Sequence, residues 1–182
     1  MYKMILASAS PRREEILKKL KLKFTVVPSK IDESRFSELP AEKMVRELAL
    51  AKAVDVSELV EDTIIIAADT VIVNEGEVMG KPTSNQDAAR MLKELRNGKH
   101  TVLTGVAVYS IPEHKEVIAV DKTEVFMSDI SDQEIDKYIA TGEPMGKSGS
   151  YAVQGLGSIF VERIEGSYFT VMGLPIHKLA QI

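Results

Sequence analysis

One run constrains this chain more than any other: Thr63-Ile64-Ile65-Ile66-Ala67-Ala68-Asp69-Thr70-Val71-Ile72-Val73. Its β-branched residues favour a pleated, packed surface, so residues 63–73 are predicted to form a central strand. A carboxylate interrupts the run at Asp69. Burying an ionised carboxylate costs a great deal unless it is paired or binds a metal. Asp69 is therefore either a working carboxylate or a structural residue capping the strand end.

Strand-like and helix-like stretches alternate around this run. Lys3 to Ala7 and Phe24 to Pro28 read as short strands, separated by a helix from Ser10 to Leu20 with Ser10 at the N-cap and Pro11 first in the helix. A second helix spans Ala41 to Val54, with an apolar stripe through Met44, Val45, Leu48 and Ala51. A third runs from Asn85 to Leu95, between Ser84 and the stop signal Asn97-Gly98. Val102 to Tyr109 and Val117 to Met127 read as an antiparallel pair of strands. Ser131 caps a helix reaching Ala140, with Glu134 placed for a capping box. Ser158 to Ile164 reads as a strand, and the chain from Tyr168 onward as a helix interrupted by Gly173 and Pro175. Such alternation predicts an α/β fold whose sheet is mixed.

The 182 residues suit a single domain spanning 1–182, or two small lobes sharing one core. With no cysteine, disulfides and thiolate chemistry are excluded. The net charge of −4, with acids and bases interspersed, argues against duplex DNA as a partner. No apolar run approaches the ~20 residues that span a bilayer, and the first residues lack a secretory core. The expectation is a soluble, cytoplasmic protein with no membrane partner.

Several further residues carry chemistry. Ser8-Ala9-Ser10-Pro11-Arg12-Arg13 is a strand-to-helix turn with two arginines in the first helical turn. The helix dipole disfavours cations there, and a bound polyphosphate would reverse that argument. The alternative pairs Arg12 with Glu15 or leaves the turn solvated. Lys52 falls on the apolar stripe of its helix, as a buried working lysine or as one that snorkels to water. Lys81, in the loop Gly80-Lys81-Pro82, and the acidic pair Asp32-Glu33 read alone as surface residues. Gly146-Lys147-Ser148-Gly149 fails the phosphate-loop pattern because Thr141 stands where a glycine is needed, and Gly155-Leu156-Gly157 fails the dinucleotide pattern at Phe160. His100, His114 and His177 lack ligand spacing. Any metal should thus be hard and held by oxygen, Mg²⁺ or Mn²⁺.

Taken in order, Leu6-Ala7-Ser8-Ala9-Ser10-Pro11-Arg12-Arg13, Lys52, Ala67-Ala68-Asp69-Thr70-Val71, Gly80-Lys81-Pro82 and Gly149-Ser150-Tyr151-Ala152-Val153-Gln154-Gly155 closely resemble the motifs of the Maf family. The resemblance runs from residue 4 to about residue 176. It implies an ITPase-like α/β fold, a mixed twisted sheet with flanking helices and two lobes around a cleft. It also implies metal-dependent hydrolysis of a nucleoside triphosphate between its α- and β-phosphates, and a homodimer. Arg12, Thr70 and Gln154 match the branch acting on dTTP and UTP rather than the one acting on N7-methyl-GTP. The amide of Gln154 offers a donor and an acceptor to the imide edge that uracil and thymine share. Ala9 stands where the family more often has glycine. The resemblance assigns Asp69, Lys52, Lys81 and Arg13 to catalysis, and Ser8, Arg12, Thr70 and Gln154 to substrate binding. Glu33 and Asp69 are the expected metal carboxylates. Two other readings differ in kind or in substrate: a nucleotide-binding regulator of cell division and septum formation, and a pyrophosphatase for modified pyrimidine nucleotides.

Overall fold

The structure, a computed structural model, describes residues 2–182. In chain order, β1 (Lys3–Leu6), α1 (Pro11–Lys19) and β2 (Thr25–Val26) come first, followed by a 3₁₀ turn at Glu33–Phe36 and α2 (Ala41–Ser57). The long β3 (Thr63–Asn74) leads into β4 (Glu77–Met79), α3 (Asn85–Leu95), β5 (Lys99–Ser110) and β6 (Lys115–Met127). The rest comprises α4 (Asp132–Ala140), 3₁₀ turns at Ser148–Ser150 and Leu156–Phe160, β7 (Val161–Glu165), α5 (Tyr168–Met172) and α6 (Ile176–Leu179). The strands form one seven-stranded sheet in the order β2-β1-β3-β5-β6-β7, with β4 paired to β3.

The sheet is mixed, as expected. β1 runs parallel to β2 and to β3, with Leu6 opposite Ile66. β3 and β4 form a hairpin turning at Glu75 and Gly76, both at positive φ, as a tight twisted turn requires. β5 and β6 are neighbours joined by the turn Ile111–His114, a connection short enough to force them antiparallel. β7 pairs antiparallel with β6.

Two expectations need correction. Residues 158–160 belong to a 3₁₀ turn, and the strand begins only at Val161, because the Ser158 N–H closes a turn onto the Gly155 carbonyl (3.1 Å). Ser10 occupies the N-cap of α1 with extended backbone, but its side chain makes no cap bond. Its own N–H turns to Ser8 Oγ instead (3.2 Å). By contrast, Ser84 caps α3 through Asp87 N–H, and Ser131 with Glu134 forms the complete capping box on α4.

The chain divides into two compact units, each discontinuous in sequence: residues 1–70, 104–121 and 173–182, and residues 71–103 and 122–172. In the first unit, α2 covers one face of the parallel strands. Ile5, Ala7, Ile65 and Ala67 alternate along β1 and β3 and pack with Ala49, Ala53, Val56 and Ala107. Helix and sheet meet closely at Gly105, where a Cβ would lie 2.3 Å from the Val45 carbonyl oxygen. No larger residue fits there with α2 in place. Among the described residues, no helix is long and apolar enough to cross a membrane.

Candidate active site

The strand period sorts the site. Along β3, Ile65, Ala67 and Asp69 share the face that α2 covers, and Thr70 points to the opposite face. On α2, Lys52 lies on the same buried stripe as Ala49, Ala53 and Val56. Asp69 and Lys52 are both buried, at 7% and 8% exposure. Lys52 Nζ donates to Asp69 Oδ1 at 2.6 Å and also lies 2.7 Å from Glu33 Oε1. One ammonium therefore joins two carboxylates. Asp69 lies well inside β3, so the strand-end cap is excluded, and Lys52 is no snorkelling lysine.

Glu33 reaches this pair because of the 3₁₀ turn before α2. Asp32 caps that turn, its Oδ1 accepting from Ser34 N (3.1 Å) and Ser34 Oγ (2.7 Å). The two acids of the pair thus separate: Asp32 serves the turn and Glu33 faces Lys52. Residue pattern carries no sign of this split, since the turn is too short to be periodic, although Glu33 and not Asp32 is the expected metal carboxylate.

On the other face of β3 stands Arg13. Its Nε donates to the Gly173 carbonyl (2.7 Å), Nη1 to Ser8 Oγ (3.1 Å) and Nη2 to Thr70 Oγ1 (3.1 Å). All three acceptors are neutral. Burial lowers the pKa of the Arg13 guanidinium; Asp69 and Glu33 oppose that shift and Arg12 adds to it. Arginine stays charged regardless. Thr70 Oγ1 is further tied to Thr104 Oγ1 on β5 (2.9 Å). Thr104 and Gly173 are site-supporting residues that sequence reasoning missed. A polar side chain in the otherwise apolar run of β5 was the available signal for Thr104. Glu15, the possible partner of Arg12, pairs with Lys19 at 2.8 Å.

Ser8, Arg13, Glu33, Lys52, Asp69 and Thr70 are thus gathered within the first unit, with Arg12 beside Arg13. Ser8 follows the C-terminal end of β1, and parallel strands carry ligand sites at that end. Three cationic side chains (Arg12, Arg13 and Lys52) stand against two carboxylates, an excess of positive charge suited to an anion. The two carboxylates also suit a hard divalent cation, which needs only one or two from the protein when phosphate oxygens complete its shell. That they already share one cationic nitrogen shows that their positions suit a common positive charge.

Lys81 and Gln154 belong to the second unit. Both are exposed, Lys81 in the loop after β4 and Gln154 in a turn before the Leu156–Phe160 3₁₀ segment. Within that unit their two motifs touch, since Gly149 N–H donates to the Gly80 carbonyl at 3.2 Å.

A family model described as "Maf-like protein" matches residues 3–182. The chain is 45% identical to the dTTP/UTP pyrophosphatase of Pelotomaculum thermopropionicum, covering 100% of this chain and 95% of that one. It is 47% identical to the dTTP/UTP pyrophosphatase of Moorella thermoacetica, covering 100% and 94%. Among solved structures, a HAM1 protein from Coxiella burnetii aligns with a TM-score of 0.48 and 16% identity, over 70% of this chain and 73% of that one. Matched across nearly its whole length, the chain belongs to the Maf family.

Proposed function

We propose that this protein hydrolyses nucleoside triphosphates, dTTP and UTP foremost, to the monophosphate and pyrophosphate. The observation that carries the reading is the buried Lys52 ammonium held between Asp69 and Glu33, with the half-buried Arg13 on the other face of β3 bonded, among the described residues, only to neutral oxygens. An arginine without a carboxylate partner in hydrogen-bond contact keeps its charge available for phosphate. The full-length relatives named dTTP/UTP pyrophosphatase support the substrate class.

In this reading, water attacks the α-phosphorus, the new P–O bond forms as the bond to the bridging oxygen breaks, and pyrophosphate leaves. Asp69 orients the water and takes its proton. Arg13 and Lys52, and Lys81 as the family resemblance implies, neutralise the charge on the phosphates and on the departing pyrophosphate. Ser8 and the start of α1 cradle a phosphate. Arg12 and Thr70 orient the nucleoside, and the Gln154 amide pairs with the pyrimidine imide edge. Glu33 and Asp69 would hold a divalent cation, which would supply Lewis-acid neutralisation of the triphosphate.

The test is pyrophosphate release from a panel of canonical and modified triphosphates, with Mg²⁺ and with chelator, for the parent and Asp69→Asn. Turnover of dTTP and UTP should fall by about 10²–10⁴-fold in the variant while nucleotide binding persists. Tight binding with no turnover of any panel member by the parent would overturn the reading, and an unchanged kcat in Asp69→Asn would remove Asp69 from the chemistry.

A further inference from the structure

The turn that carries Gln154 is exposed at its tip and fastened at both ends. At its start, Tyr151 Oη is hydrogen-bonded to the buried His100 Nε2 (2.8 Å), and Ala152 N–H donates to Tyr138 Oη (3.1 Å). At its end, the carboxylate of Glu143 accepts two adjacent backbone N–H groups. Leu156 N–H donates to Oε1 (3.1 Å) and Gly157 N–H to Oε2 (3.0 Å). These N–H groups open the 3₁₀ turn Leu156–Phe160, where no backbone partner precedes them. A carboxylate is the side chain that accepts both through separate oxygens.

Glu143 is itself fixed. Its N–H donates to Thr141 Oγ1 (3.2 Å), and its carbonyl accepts from Lys147 Nζ. Gly155, next to Gln154, confirms how closely the carboxylate sits: a Cβ there would lie 1.7 Å from Glu143 Oε1. No side chain at 155 is compatible with Glu143 in this place. All of these contacts lie within the second unit.

We propose that Glu143 is a positioning residue for base selection: it holds the backbone of Gly155–Gly157, and so fixes how Gln154 is presented to the pyrimidine. The inference rests on the reading that Gln154 contacts the base. Glu143 touches no substrate. Its contribution is preorganisation, because a long amide side chain on a loose turn must be ordered at the moment of binding, and one on a fastened turn is ordered beforehand. Glu143→Gln breaks the clasp, since an amide presents N–H to one of two N–H groups. Gly155→Ala reaches the same clasp independently. It displaces only the far end of a flexible side chain, so the fold survives.

The experiment measures kcat and KM for UTP, dTTP and a purine triphosphate in the parent, Glu143→Gln, Gly155→Ala, Gln154→Ala and Glu143→Gln/Gln154→Ala. The two clasp variants should each raise KM for the pyrimidines by about 10-fold with little change in kcat, and lower the preference for pyrimidine over purine. The double variant should be no worse than Gln154→Ala, because the clasp acts through the glutamine. Losses that multiply in the double variant, or an equal loss on every nucleotide in both clasp variants, overturn the role of Glu143 and leave that of Gln154 standing. A Gln154→Ala variant with no selective loss refutes base reading by Gln154 itself, and the inference falls with it.

Discussion

Two cations in this chain each hold two acids, with nearly the same geometry. In the first unit, Lys52 lies 2.6 Å from Asp69 and 2.7 Å from Glu33; in the second, Arg90 lies 2.7 Å from Asp87 and 2.8 Å from Glu94. Their settings differ. The side chains of Lys52 and Asp69 are each 10% exposed and that of Glu33 is 50% exposed, whereas that of Arg90 is 55% exposed. Their origins differ too. Arg90 finds its acids three residues before it and four after it on one helix, as the helical repeat brings them there. Lys52 draws its acids from a strand and from a separate turn. Distance alone therefore does not tell which pair matters. Burial of the Lys52–Asp69 pair does, because water screens the exposed pairs and leaves these two charges to depend on each other.

The sharpest way to break this comparison is Lys52→Met, which keeps the bulk of the side chain and removes the charge. It leaves Asp69 buried without its cation, and unfolding stability should drop by about 3–5 kcal/mol. Denaturant titration measures it. Adding Asp69→Asn to the same chain should return much of the loss, since no uncompensated charge remains. A drop in the single variant as small as a surface substitution gives would mean that water reaches Asp69, and the distinction between the two sets would collapse.

How far this arrangement was legible from sequence follows from the same physics. Asp69 and Lys52 stood out because each breaks an apolar pattern, and a charge inside such a pattern must be answered by something. The strand 63–73 and the helices at 85–95 and 131–140 were readable because period, caps and stop signals agree there. Glu33 carried no such signal, since it sits in an exposed acidic pair and only the 3₁₀ turn aims it at Lys52. Gly173 was invisible for a different reason: its contribution is a carbonyl oxygen, which every residue has, brought to Arg13 from 160 residues away. Backbone acceptors and short turns leave no mark on composition or period, and one of the three Arg13 acceptors is such a group. Glu143 belongs with these, for its partners are backbone N–H groups.

The second unit contains a buried polar group that resolves its burial in another way. His100 is 3% exposed, bonds Tyr151 through Nε2, and leaves Nδ1 without a partner among the described residues. No acid answers it, so burial pushes its pKa down to about 4 and it stays neutral in the folded protein. In the unfolded chain it takes a proton near its ordinary value of 6.5. Between those two values the unfolded state binds more protons, so stability rises with pH across that window and falls as the solution is acidified. The loss attributable to His100 should reach about 3 kcal/mol by pH 4. It is read as the difference in pH dependence of unfolding between the parent and His100→Gln. Identical profiles would mean that water hydrates the ring nitrogen, and His100 would join the exposed groups in the comparison.

Arg90→Ala completes the series with the smallest expected effect, and its smallness is the point. The substitution removes a cation bonded to both Asp87 and Glu94, so two close ion pairs disappear at once. Counting acids, it equals Lys52→Met. Yet the Glu94 side chain is 45% exposed and that of Asp87 21%, so water reaches both once the arginine is gone. Asp87 also keeps an acceptor role independent of Arg90, taking the Thr83 N–H at 3.0 Å and lying inside the turn that Ser84 caps. The start of α3 therefore survives the loss. Denaturant midpoint and turnover should both match the parent within error, and added salt should not separate the two proteins. A clear loss of stability in Arg90→Ala would show that the α3 pairs act as a network despite their exposure, and that burial is the wrong criterion for telling this chain's two sets of ion pairs apart.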